Sequence, residues 1–146
     1  ISSSDMSDLY VVRRALEPVA IREAFPHYDE KIAAQVGDLE KTMRRAADAG
    51  ELDSYMDANR MFHLAMYAPC GNRHLVRNVE SLFDLSERYQ RTSLAQPGRM
   101  KRSNDDHARM VEAIRARDVE RLVSLIGEHN ELTQQAVDKK LKDRKS

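Results

Sequence analysis

Asn59-Arg60-Met61-Phe62-His63 lies inside a helical pattern that runs from about Asp53 to Met66. Asn59 and His63 are four residues apart, so they stack on one face of a helix. Leu52, Tyr55, Phe62 and Met66 fall on the same side. A polar pair within a buried stripe needs partners, because leaving it unpaired costs about 1–3 kcal/mol. Two partners are available far down the chain, His107 and His129. The four together read as a metal site inside a helical bundle.

Outward from this stretch, the composition agrees with helices. The chain has 146 residues, which suits one domain with a sizeable core. It is rich in Ala, Leu, Arg and Glu, with five Gly and four Pro. Long β-branched runs are absent, which argues against strands. Lys plus Arg and Asp plus Glu are 24 each, so no basic excess points to nucleic-acid binding by this segment itself. Cys70 is the only cysteine, which excludes an internal disulfide and fits a reducing, cytoplasmic setting. No apolar run approaches the roughly 20 residues needed to span a bilayer.

Six or seven helices follow from periodicity and stop signals. Asp5 or Ser7 is expected to cap the first, which runs to about Phe25 with Leu9, Val12, Leu16, Val19 and Ala20 inward. Pro18 is expected to kink or split it. A second helix spans about Asp29 to Ala49 and stops at Gly50, with Ile32, Val36, Leu39 and Met43 inward. Asn72 caps a fourth that turns Leu75, Val79, Leu82, Phe83, Ser86 and Tyr89 to one side. The fifth runs from Ser103 or Asn104 to Arg117, and Asp118 caps a sixth that reaches about Leu141. Residues 1–7 read as the remnant of a linker in a longer protein, residues 8–141 as the domain, and residues 142–146 as a disordered charged tail.

His107 lies 11 residues before Asp118 and His129 lies 11 after it. At a rise of about 1.5 Å per residue, an antiparallel hairpin sets the two level. A lone histidine on an apolar face is more often a hydrogen-bonded core residue than a ligand. Three on three inward faces, with an Asn one turn from one of them, shift the balance. His27 and His74, in polar surroundings near helix starts, are expected at the surface. Imidazole suits zinc, nickel, copper or iron, so the ligand set does not choose the metal, and zinc is the first expectation. Glu112 and Glu128 fall off the inward stripes, and no carboxylate is expected beside the histidines. An ion held by neutral groups keeps about two positive charges and favours an anion, most simply a carboxylate. Arg13 is placed to hold such a carboxylate by two parallel bonds; a surface salt bridge with Glu17 is the equal alternative. Ser86 and Tyr89 are the expected effector contacts from the fourth helix, with core packing the commoner role for a tyrosine there.

The chain resembles the FCD domain, the C-terminal effector-sensing domain of the FadR branch of GntR-type transcription regulators. The resemblance rests on Asp8-Leu9-Tyr10-Val11-Val12-Arg13-Arg14-Ala15-Leu16-Glu17-Pro18, on Asn59-Arg60-Met61-Phe62-His63 followed by Gly71-Asn72, and on His107 through Asp118 followed by His129. It covers roughly residues 6 to 137. It implies an antiparallel all-α bundle around a central cavity, a divalent metal on Asn59, His63, His107 and His129, and a small organic acid bound at the metal with help from Arg13. It also implies a homodimer whose operator DNA is bound only through an N-terminal winged-helix domain absent from this chain. Asn59 stands where the family more often has Asp, which is expected to weaken metal affinity and leave the site more positive. Asp57 lies about 200° round the helix and is a poor substitute.

Two alternatives remain open at the level of sequence. Helical bundles with three histidines and a metal also occur among DinB-like transferases and hydrolases. A helical dimerisation domain with a buried His–Asn network and no metal is the other. A non-enzymatic sensor is the expectation.

Overall fold

The computed structural model describes residues 1–145, and Ser146 lies outside the described residues. Among the described residues there are six α-helices and two short 3-10 turns: α1 (Ser3–Ala24), the turn Phe25–His27, α2 (Glu30–Ala49), α3 (Leu52–Tyr67), the turn Ala68–Cys70, α4 (Arg73–Leu94), α5 (Arg99–Arg115) and α6 (Val119–Lys145). The all-α bundle is as expected. No helix among the described residues is long and apolar enough to cross a membrane.

The stop signals act where the sequence puts them. The Asp29 side chain accepts from the Ile32 amide, and Asn72 accepts from His74 and Leu75, in both cases satisfying orphan first-turn donors. Gly50 ends α2 in the left-handed region, where a side chain would be strained. Asp118 accepts from the Arg121 amide at the start of α6. Three boundaries differ. Ser2, not Asp5 or Ser7, caps α1, so Ser3–Ser7 are already helical and Met6 is buried. α5 begins at Arg99, directly after Gly98. α6 continues through Lys145, so the charged segment after Leu141 is helical as far as it is described.

The rotation of α1 is the main correction. Its buried face is Met6, Leu9, Tyr10, Arg13, Glu17, Ala20, Ile21 and Ala24. Val12 and Val19, expected inside, are 43% and 47% exposed. Two charged residues occupy the inward stripe because they neutralise each other there. Pro18 neither ends nor divides the helix.

This arrangement splits the core. The larger apolar cluster takes Ala20, Ile21 and Ala24 from α1 and Leu122 and Ile126 from α6. The smaller takes Met6, Leu9 and Tyr10 from α1 and Val137 from α6, with Leu82 and Tyr89 of α4. Along both α1 and α6 a polar layer lies between them: Arg13 and Glu17 on one helix, His129, Asn130 and Thr133 on the other, all buried. The candidate site is this layer.

Candidate metal and effector site

α3, α5 and α6 each bring one histidine to the layer. The ring centroids of His63 and His107 are 5.2 Å apart, those of His107 and His129 4.9 Å, and those of His63 and His129 5.5 Å. One ligating atom from each lies within 4.8 Å of the others. The α5–α6 hairpin sets His107 and His129 level, as the equal counts about Asp118 require. His27 and His74 are exposed.

Oxygen acceptors set the tautomers of two of the rings. Asn104 Oδ1 lies 3.2 Å from His107 Nδ1, with the Tyr55 hydroxyl at 3.3 Å. An amide oxygen only accepts, so His107 carries its proton on Nδ1 and leaves Nε2 as a lone pair. Asp106 Oδ2 does the same for His129, at 3.1 Å from Nδ1. Burial drives His63 and His107 well below the usual imidazole range; His129 adds to this at both, and His107 and Arg13 add to it at His63. These two rings are therefore neutral near pH 7, as metal ligands must be. Burial opposes ionisation of Asp106, but the hydrogen bond and charge of His129, with Arg102 and Arg109, keep its carboxyl below the ordinary range.

Three observations fit a divalent transition metal. The Nε2 atoms of His63 and His107 are 3.2 Å apart. Two imidazole nitrogens, each about 2.0–2.1 Å from a shared ion, stand roughly 3 Å apart. Asn59 Oδ1, one turn before His63, is buried without a hydrogen-bond partner. Outer hydrogen bonds to Nδ1 of two rings are what ligating histidines ordinarily have.

Arg13 completes the layer from α1. It is 2% exposed, and its Nε and Nη2 both donate to Glu17 at 3.1 Å. Glu17 also accepts from Tyr67 Oη at 2.7 Å and Asn130 Nδ2 at 3.0 Å. The guanidinium is sandwiched 4.7 Å from the Tyr10 ring centroid and 4.6 Å from that of Phe83. Burial works against its charge, but Glu17 more than offsets this and holds it protonated. Glu17 is thus the partner anticipated for Arg13, but the pair is internal rather than at the surface.

Four buried side-chain atoms among the described residues lack a hydrogen-bond partner: Tyr10 Oη, Arg13 Nη1, Asn59 Oδ1 and His63 Nδ1. All four residues line one cavity of about 10 Å³. Leaving buried polar atoms unpaired is costly, so their concentration at one cavity marks a place built for something polar.

Of the expected effector contacts, only Arg13 is there. Ser86 is buried, but its hydroxyl donates to the Leu82 carbonyl at 2.6 Å. The Tyr89 hydroxyl donates to Asp5, and its ring packs in the smaller cluster. From α4 the cavity is lined instead by Gln90 and Leu94. Sequence reasoning also missed Tyr10, Asp106 and Asn130, and the burial of Glu17. For α1 the signal was a run at positions 6, 10, 13, 17, 20 and 24, which keeps one helical face whatever its polarity. Asp106 is the inward carboxylate that was not expected.

A family model described as the FCD domain matches residues 8–132. The chain is 28% identical to the HTH-type transcriptional repressor GlaR of Escherichia coli, over 88% of this chain and 62% of that protein. It is 29% identical to BphR of Paraburkholderia xenovorans, an HTH-type transcriptional regulator, over 90% of this chain and 56% of that one. The chain thus spans only part of the length of these relatives. Among solved structures, a GntR-family transcriptional regulator from Pseudomonas syringae superposes with a TM-score of 0.85 at 31% identity, over 99% of this chain and 60% of that one. E. coli McbR/YncC superposes with a TM-score of 0.88 at 17% identity, over 96% and 71%, which speaks for the fold alone.

Proposed function

The chain belongs to the FCD domain family, and we propose that it is the ligand-sensing, dimerising part of a transcription regulator of the GntR type. Asn59, His63, His107 and His129 hold a divalent transition metal, zinc first among the candidates. A small organic acid is the effector. The full protein works as a cytoplasmic homodimer that meets operator DNA through a winged-helix domain outside this chain. The observation that carries this is the convergence of four unpartnered buried atoms on one cavity beside three converging imidazoles.

The donor set determines the ligand. When bound, the ion supplies a Lewis-acid point for a carboxylate oxygen. Its protein donors are neutral, so its charge calls for an anion. Arg13 is already balanced by Glu17, and its free Nη1 offers one further donor without a second uncompensated charge. Tyr10, whose hydroxyl burial keeps protonated, offers another. A cavity of about 10 Å³ has room for roughly one water. An organic acid needs more, so its binding must move side chains or backbone of the helices that line the cavity, α1, α3, α4, α5 and α6. That differential fit is what a sensor requires.

A hydrolase or transferase is the poorer assignment. The carboxylates of the layer are engaged: Asp106 with His129 and Arg109, Glu17 with Arg13, Tyr67 and Asn130. Neither is free to act as a general base.

Elemental mass spectrometry on protein purified without a histidine tag tests the metal. Close to one ion per chain, lost in His63→Ala and His129→Ala, supports the site. Thermal shifts with simple carboxylates then test the effector. No metal after reconstitution, with carboxylates still stabilising the protein, would leave a metal-free acid pocket around Arg13. No response to either would leave a polar core only.

A further inference from the structure

The central cavity has one weak wall. Of the ten residues that line it, nine are buried, and Gln90 alone is half-buried. Gln90 also lines a second space, an open groove of about 160 Å³ between α3 and α4. Phe83 and Met56 border the same groove. The Phe83 ring lies against His63, 5.3 Å between centroids, and against the Arg13 guanidinium at 4.6 Å. One aromatic ring and one amide side chain therefore separate solvent from the site. The surface grooves over α2 and α3, beside the start of α4, and along α1 and α6 share no lining residue with the cavity.

The seam above the groove is lightly fastened. Arg60 reaches Asp84 at 2.5 Å and Arg91 reaches Asp53 at 2.8 Å, and all four side chains are exposed. Exposed pairs of this kind contribute little and reform freely. A half-exposed glutamine changes rotamer far faster than a packed helix shifts.

We infer that small solutes enter and leave the three-histidine cavity through the groove between α3 and α4, with Gln90 as the gate. The inference rests on the proposal that the cavity takes a ligand, but it makes a separate demand. Substitutions at Gln90 must change rates of access.

Two variants of the metal-stripped protein, Gln90→Ala and Gln90→Trp, test it with diethyl pyrocarbonate as the probe. Mass spectrometry of the peptides gives a carbethoxylation rate for each histidine. The alanine variant should speed modification of His63, His107 and His129 several-fold, and the tryptophan variant should slow it. Exposed His27 and His74 serve as internal references and should not change. A variant that merely loosened the fold would speed the reaction, so slowing by tryptophan cannot be a stability effect. With Co²⁺ as the probe, Gln90→Trp should slow binding and release together and leave Kd unchanged. Rates that ignore both substitutions would overturn the gate. So would a changed Kd carried by the release rate alone, with binding as fast as in the wild type, which would make Gln90 a ligand contact. If Co²⁺ fails to bind the wild type, the metal proposal falls alone, and carbethoxylation still decides the route.

Discussion

Asp106 is the chain neighbour of His107, yet its carboxylate serves His129, accepting from Nδ1 at 3.1 Å across the α5–α6 hairpin. Its other oxygen takes a hydrogen bond from Arg109 at 3.2 Å. Replacing Asp106 with Ala removes the group that orients His129 and fixes its tautomer. A loss of roughly 10–100-fold in metal affinity is expected, the usual cost of deleting such a partner. Competition against a chromophoric chelator measures it. An unchanged affinity would mean that His129 is held by packing alone or does not ligate.

Arg13 and Glu17 form a buried ion pair in which each depends on the other. Arg13→Met leaves the Glu17 carboxylate inside with only Tyr67 and Asn130 as donors. Removing one partner of a buried pair typically costs about 3–5 kcal/mol, while an apolar replacement of both is often close to neutral. Urea denaturation of Arg13→Met, Glu17→Met and the double variant should therefore show a strong positive coupling. Additive losses would mean that the pair is not a unit.

Tyr10→Phe deletes a buried hydroxyl that has no partner in the ligand-free protein. Stability without ligand should stay level or rise, by up to about 1–3 kcal/mol. Affinity for a stabilising carboxylate should fall. Opposite signs in these two measurements are the mark of a ligand contact. A loss of stability with no change in affinity would assign Tyr10 to packing.

The pH dependence of stability follows from His63 and His107, which burial keeps deprotonated in the fold. In the unfolded chain each takes up a proton near its ordinary pKa of about 6.5. Below that pH the unfolded state binds more protons than the native one, so stability present above it is lost as pH falls. The slope reaches up to about 2.7 kcal/mol per pH unit for two such groups. Urea midpoints of metal-free protein from about pH 7.5 to about pH 5 should decline accordingly. The double variant His63→Leu, His107→Leu should flatten the curve, and a flat wild-type curve would contradict the assignment.

The bundle was legible in the sequence because its signals are local. Asp29, Gly50, Asn72 and Asp118 mark helix ends by hydrogen bonds or backbone conformations within a few residues of themselves. The meeting of His107 and His129 needed only counting about one turn. The face of α1 was not legible in the same way. Hydrophobic periodicity favours Val12 and Val19 over Arg13 and Glu17, and it carries no information on Tyr67 and Asn130, which make the charged face the buried one. Asp106 escaped notice for a related reason: its partner lies on another helix. Ser86 and Tyr89 were rightly turned inward, but the Ser86 hydroxyl bonds to its own helix and Tyr89 joins the smaller apolar cluster and the start of α1, so neither lines the cavity.

Pro18 has one more consequence. It has no N–H to offer the Arg14 carbonyl, so the ladder of α1 lacks a rung just beyond the residues that touch the cavity. Bending is cheapest at that point, and Ser3 to Glu17 then pivots as a single rod. Tyr10 and Arg13 ride on that rod, and Ser3 lies about 15 Å further along it. A displacement of the helix backbone at Arg13 therefore swings the first turn with it, because the ladder between Ser3 and Arg13 has no missing rung to absorb the motion.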